Sequence, residues 1–244
     1  MSKLYEAHNH ILLRADYQNP QEHRHMAAHI LVSPDTDMQV TSHNQTFFCR
    51  GVLIPSGFPH KIQTFGDPIL VFLFDSSTTV ATQIKTLQIL SAEDATAIGS
   101  LYNTFIQEET DAAYHRFSGS VLQLLGFAEA SCCVTDNRIA SAMHQIRSSP
   151  GEAITCAEIA ASVFLSSSRF SHLFRKQVGM TFAAYVIYQR IVHVYTGILA
   201  GKTITQAALD AGFSSSAHFS DVNRRVFGLS ASTITKDLTF RKIQ

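Results

Sequence analysis

Glu158-Ile159-Ala160-Ala161-Ser162-Val163-Phe164-Leu165-Ser166-Ser167-Ser168-Arg169-Phe170-Ser171-His172-Leu173-Phe174-Arg175-Lys176-Gln177-Val178-Gly179 and Gln206-Ala207-Ala208-Leu209-Asp210-Ala211-Gly212-Phe213-Ser214-Ser215-Ser216-Ala217-His218-Phe219-Ser220-Asp221-Val222-Asn223-Arg224-Arg225-Val226-Phe227-Gly228 are two versions of one pattern. Both contain Phe-Ser-x-x-x-Arg-[Lys/Arg]-x-x-Gly, starting at Phe170 and at Phe219, forty-nine residues apart. Each copy reads as helix, tight turn, helix. Thr155 to Glu158 and Thr203 to Gln206 have the spacing of a capping box, in which hydroxyl and acid or amide satisfy the free amides that open a helix. Gly212 supplies permissive backbone at the second turn; Phe164 stands at the first, where the turn signal is weaker. Ser166 and Ser214 are the expected caps of the helices that follow. In the first of these, Phe170, Leu173, Phe174 and Val178 recur at helical spacing, with Ser168, Ser171, His172 and Arg175 around the other side.

Outward from this repeat, the charge divides. Across the chain 19 Lys and Arg balance 19 Asp and Glu. Residues 1–136 carry a net −7, however, and residues 137–244 a net +7. That split predicts two domains, the second with a polyanionic partner. From Asp136 on, the sequence reads as helical almost throughout. A helix with an apolar back and a front of short polar and cationic side chains suits the DNA major groove, where residues near its N-terminus meet base edges. Arg175, Lys176, Arg224 and Arg225 fall late on the two helices, the place for phosphate contacts. Any one such helix is more often a solvated surface element; duplication within a basic domain is what gives the pattern weight.

Residues 137–240 resemble the DNA-binding domain of AraC/XylS-type regulators. The signature is carried by Ala208, Gly212, Phe213, Phe219, Ser220, Arg224 and Gly228, and in the first copy by Leu165-Ser166, Phe170, Leu173-Phe174-Arg175 and Gly179. The resemblance implies two helix-turn-helix units joined by a long helix over about 182–199, with Arg190-Ile191 matching the family's Arg-Leu. It implies base-facing positions at Ser168, Ser171 and His172 in the first unit, and at Ala217, His218 and Asp221 in the second. Four residues depart from the pattern: Asp221 where a basic or neutral reader is common, Asn223 in place of a core aromatic, Ala231 in place of a proline after Ser230, and Val194 in place of a common alanine on the linking helix. A second unit that positions more than it reads is the consequence.

The first part, residues 1–131, is strand-rich and then helical. Ile30 to Val32, Thr46 to Cys49, Gly51 to Ile54 and Ile69 to Phe74 are short β-rich runs between Gly- and Pro-containing turns. Ile98, Leu101, Tyr102, Phe105 and Ile106, then Phe117, Val121, Leu124 and Leu125, change to helical spacing. The resemblance implies a small cupin-like β-barrel here, serving as sensor or dimerisation domain, and Pro55-Ser56-Gly57-Phe58-Pro59-His60 is similar to a cupin turn. The fold class expected is α+β in two domains.

His23 and His25, with His29 and His60, invite a metal reading, but no carboxylate follows His25 in Met26-Ala27-Ala28-His29, so no metal and no cofactor is assigned. No nucleophile–base motif, phosphate loop or dinucleotide fingerprint is present, which points away from an enzyme. Cys132-Cys133 and the other two cysteines lack a CxxC spacing. Apolar runs are too short for a membrane span and the first residues lack a signal-peptide core, so the expected location is the cytoplasm and no membrane partner is expected. The expected partners are double-stranded DNA, a small-molecule effector, RNA polymerase and a second copy of the chain; activation or repression is left open. The competing readings are a metal-dependent cupin enzyme with a helical accessory domain, and an interaction protein that has lost DNA binding.

Overall fold

The computed structural model describes residues 2–7, 10–18, 21–24, 27–128, 134–149, 151–227, 231 and 239–243. Internal contacts separate two units: residues 1–132 together with 224–244, and residues 133–223. Thr239–Lys242, at the end of the stretch expected to be helical, is a strand of the first unit.

The first unit runs β1 (Lys3–Glu6), β2 (His10–Ala15), β3 (Ala28–Val32), β4 (Met38–Ser42), β5 (Gln45–Cys49), β6 (Gly51–Ile54), β7 (Lys61–Gln63), β8 (Ile69–Phe74), α1 (Thr79–Gln83), β9 (Gln88–Ile89), α2 (Ala92–Glu108) and α3 (Asp111–Leu124), and ends with β10 (Thr239–Lys242). One sheet has the order β10-β1-β2-β8-β3-β6-β9 and a smaller one the order β5-β4-β7. The expected closed barrel is therefore corrected to two sheets: no strand pairing among the described residues joins the ends of the larger one. Every residue of β3, β6 and β8 is buried, which is why these strands read as unbroken apolar runs, whereas β4 alternates. Ile98, Tyr102, Phe105, Phe117 and Val121 of α2 and α3 share a core with Leu12, Ile30, Phe72 and Phe74 of the sheet. Ser91 and Thr110 cap the two helices.

The edge of the larger sheet is tied by polar contacts. β10 runs parallel to β1, pairing Lys3 with Thr239 and Glu6 with Lys242. Arg241 donates to the Asp111 carboxylate at 2.8 and 2.9 Å and to the Glu109 carbonyl. The Glu109 carboxylate accepts from Tyr5 Oη at 2.6 Å and from Lys3 Nζ at 2.9 Å. The Tyr5 hydrogen bond, reinforced by Lys3 and Arg241, holds that carboxyl below its usual range.

The second unit is helical: α4 (Asn137–Ser148), α5 (Cys156–Ser162), α6 (Ser167–Val178), α7 (Phe182–Leu199) and α8 (Ile204–Asp210), with α9 (Ser216–Phe227) contributing residues up to Asn223. Asp136, Thr155, Ser166, Thr181 and Thr203 are side-chain N-caps, one for each of the first five helices. Ile139, Met143, Ile159, Phe170, Phe174 and Tyr185 form one core. Phe219 packs on Phe213 and Tyr195, with ring centroids 5.4 and 6.1 Å apart, around the other turn. Among the described residues no helix is long and apolar enough to cross a membrane.

Among the described residues four histidines are buried in the first unit: His10, His23, His29 and His60. His10 stacks on Phe74 with centroids 4.9 Å apart, and its Nε2 lies 2.8 Å from Tyr114 Oη. Burial, with His115 nearby, lowers the His10 pKa from 6.5 to about 4; burial and His23 lower that of His60 to about 4, and His29 also falls well below the usual value. The unfolded chain therefore takes up protons before the folded one, and stability present above pH 6.5 drains away as pH falls towards 4. Melting of the first unit, followed by near-ultraviolet circular dichroism, is expected at constant temperature above neutrality and at steadily lower temperature across that window. His60→Gln should flatten the slope, and a melting temperature indifferent to pH in both proteins would contradict this account.

Candidate nucleic-acid interface

Both helix-turn-helix units are built from the same local chemistry. Thr155 and Glu158 form a full capping box at the start of α5, and Thr203 and Gln206 do so at the start of α8. After α5, the Phe164 and Leu165 amides donate to the carbonyls of Ala161 and Ala160 at 3.0 and 2.8 Å. After α8, Gly212 and Phe213 donate to Leu209 and Ala208, each at 2.9 Å. The turns are equivalent, with φ +57° at Phe164 and +79° at Gly212. Phenylalanine thus does the work of glycine in the first unit, where left-handed backbone costs a residue with a Cβ roughly 1–2 kcal/mol.

The caps differ by one residue. Ser166 accepts from the Arg169 amide and opens α6, as expected. At α9 the expected cap, Ser214, is corrected to Ser215, whose Oγ accepts from the His218 amide at 3.1 Å. Ser214 instead places its Oγ 3.0 Å from His218 Nδ1. That additional residue between turn and cap is why the two Phe-Ser motifs are forty-nine residues apart and the turns forty-eight.

The apolar back of α6, Phe170, Phe174 and Val178, is buried. Ser168, Ser171, His172, Arg175 and Lys176 are all exposed, with Ser171 Oγ 3.3 Å from Cys156 Sγ. On α9 Ala217, His218, Asp221, Arg224 and Arg225 are exposed, while Phe219, Val222 and Asn223 are buried. His218 also packs edge-on against Phe213. Gly228 and Ser230 lie outside the described residues. Asn223, the departure from a core aromatic, is 0% exposed and accepts a 2.7 Å hydrogen bond from Tyr195 Oη. A buried amide is tolerable when so paired, and the substitution leaves the helix packed.

One exposed side chain on this surface escaped the sequence reading. Arg169 stands in the first turn of α6, a turn without an acidic residue. A cation at the positive end of a helix is locally unfavourable, and that mismatch was the available signal.

The two units are held through α7. Arg190 donates to the Gly212 carbonyl at 3.2 Å and to the Glu152 carbonyl at 3.1 Å, tying the second turn and the loop before α5 to one helix. Backbones meet closely here: a Cβ on Gly151 would lie 2.0 Å from the Asp210 carbonyl oxygen.

The histidine set of the first unit comes together in part. His23 and His60 form an isolated β-bridge with ring centroids 4.5 Å apart, and His29 adds a third ring 5.2 Å from His60. The Nδ1 atoms of His23 and His60 each lie 2.8 Å from a backbone carbonyl, of Gln21 and Phe58. His25 and Met26 lie outside the described residues, as do Cys132 and Cys133. Among the described residues no three His, Cys, Asp or Glu side chains are placed to hold a metal ion. Cys49 is buried, and burial pushes its thiol up to about 11, away from redox reactivity.

Residues 159–237 match the family model described as a helix-turn-helix domain. Over 79 residues the chain is 37% identical to the probable transcriptional regulator LumQ of Photobacterium leiognathi, an alignment that covers 32% of each chain. The chain thus matches about a third of the length of that curated relative. Two solved structures are similar in fold across most of the chain. One is ToxT from Vibrio cholerae O395, with TM-score 0.56 and 14% identity over 93% of this chain and 98% of that one. The other is unsaturated fatty acid bound wild-type ToxT from Vibrio cholerae strain SCE256, with TM-score 0.58 and 12% identity over 92% of this chain and 94% of that one.

Arg190→Ala is expected to lower the stability of the helical unit by about 1.5–3 kcal/mol, the worth of charge-assisted hydrogen bonds. Helical circular dichroism during thermal denaturation reads it. An unchanged melting temperature would mean that the Arg190 contacts do not brace the turns.

Proposed function

We propose that the chain is a sequence-specific DNA-binding transcription regulator of the AraC/XylS type and not an enzyme, a reading supported by the match of residues 159–237 to a helix-turn-helix domain. The observation that carries this is the pair of capped helix-turn-helix units braced on one helix, each turning an exposed cationic side outward. The helices α6 and α9 enter two successive major-groove segments. Ser168, Ser171 and His172 face bases in the first, while Arg175, Lys176, Arg224 and Arg225 take phosphates. Asp221 is repelled by phosphate unless it accepts from a cytosine, so the second unit contributes position more than sequence. The proposed partners are double-stranded DNA, RNA polymerase and a second copy of the chain.

The sheet unit is the proposed sensor. One of the structures similar in fold holds an unsaturated fatty acid, and a small apolar effector is the corresponding proposal for this chain. A cupin-like role for its two sheets, without metal, fits the aromatic core around His10 and Tyr114.

The test is fluorescence anisotropy with duplexes from the protein's own gene neighbourhood and with scrambled duplexes, across a salt series. A preference for the natural duplex that persists at high salt is expected. The double variant Arg175→Ala, Lys176→Ala should weaken binding to both duplexes and reduce the slope of log affinity against log salt by about 2. No preference at any salt, with or without fatty acid, would overturn the proposal.

A further inference from the structure

We infer that Phe164 is a specificity-determining residue of the first helix-turn-helix unit, reading a thymine methyl at the edge of the DNA segment that α6 enters. The inference rests on the DNA-binding proposal and adds to it a contact outside the recognition helix. Phe164 is 95% exposed, the most exposed large apolar side chain among the described residues. It holds φ +57° in a turn whose counterpart carries Gly212. A phenylalanine there gains nothing from packing within the chain and adopts backbone that glycine would take freely, so local stability does not account for it.

Its surroundings favour DNA over a protein partner. Phe164 is two residues ahead of the Ser166 cap, next to the end of α6 that meets base edges in a groove-bound helix. From Ser162 to Lys176 there is no carboxylate, and Glu158 upstream is engaged in the α5 capping box. Exposed Ser166, Ser167 and Ser168 give close approach without bulk, and Arg169 makes no ion pair among the described residues, leaving its charge for a flanking phosphate. The second unit has Asp210 before Gly212; its aromatic at the turn, Phe213, is buried against Phe219, and His218 stands where the first unit has Arg169. Among base edges in the major groove the thymine methyl is the apolar one, and aromatic side chains recognise it by contact.

The experiment uses the full chain. Duplexes enriched by the wild type from a randomised library supply the probe, and each thymine in the enriched motif is replaced singly by deoxyuridine, which removes only the methyl. At one position in the first-unit half, wild-type affinity should drop about fourfold, the worth of one buried methyl. Phe164→Gly and Phe164→Ala should bind the thymine duplex about as weakly as the wild type binds that deoxyuridine duplex, and should no longer distinguish the two. Phe164→Gly should also melt about 4 °C higher or more, which separates lost contact from lost fold. An enriched motif that Phe164→Gly binds as the wild type does overturns the inference while the DNA-binding proposal stands. Loss of transcription activation by that variant with DNA affinity intact does the same, and gives Phe164 to a protein partner. If no motif is enriched and Arg175→Ala, Lys176→Ala leaves binding unchanged, the DNA-binding proposal fails and this inference with it.

Discussion

One guanidinium sets the geometry of the helical unit. Arg190, on the helix that joins the two helix-turn-helix units, reaches the carbonyl at the second turn and the carbonyl of the loop leading into the first. A single planar fork with several donors can do this; a lysine in its place would present a point charge without fixed directions. The convergence depends on two glycines. A Cβ on Gly212 would stand 3.0 Å from the Gly151 carbonyl oxygen and 3.2 Å from the Arg190 guanidinium carbon, and one on Gly151 would strike the Asp210 carbonyl. Because one side chain makes both contacts, the turn at Gly212 and the loop at Glu152 are fixed in relation to each other. In the proposed DNA-binding role two groove-reading helices are useful only at a set spacing, so this contact would matter to recognition as well as to stability.

The two units share a plan and differ in what they expose. Serines, His172 and three cations face outward from α6, whereas α9 offers Ala217, His218 and an acid, with its cations confined to the last turn. Buried differences are compensated differently from exposed ones. Asn223 lost an aromatic's area and recovered a hydrogen bond from Tyr195, so the helix keeps its seat. Asp221 carries a charge at the surface that a polyanion would meet directly. Packing constrains the first substitution and recognition the second, so a unit can remain well folded while its reading function weakens.

Much of this was legible in the residues. Capping boxes at Thr155 and Thr203, the Phe-Ser repeat and the buried runs of β3, β6 and β8 are local signals, and local physics produced them. The strands at β1, β2, β4 and β7 were not legible: they are short, and β10 owes its status to β1, almost the whole chain away. The Ser214-to-Ser215 change of cap was hidden because two adjacent serines have equal propensity, and only the register of the turn chooses between them. The cupin-like barrel followed from the resemblance, and turn-bounded strands fit two separate sheets equally well. Of the candidate metal histidines, His23, His29 and His60 come together, His23 and His60 through a β-bridge that spacing alone does not reveal.

The parallel strand β10 has a consequence for how the chain is made. β1 leaves the ribosome well before β10, and its outer edge is hydrogen-bonded by residues synthesised after both helix-turn-helix units. Until then the nascent sheet carries an open row of amides and carbonyls, the kind of edge that recruits other chains. Folding of the first unit therefore cannot finish domain by domain along the message; its last strand arrives with the end of the helical unit already built. A message truncated between residues 127 and 239 would yield a sheet with that edge bare, and quality control would meet it as an aggregation-prone first unit even though all of that unit's core cluster but Ile243 had been made.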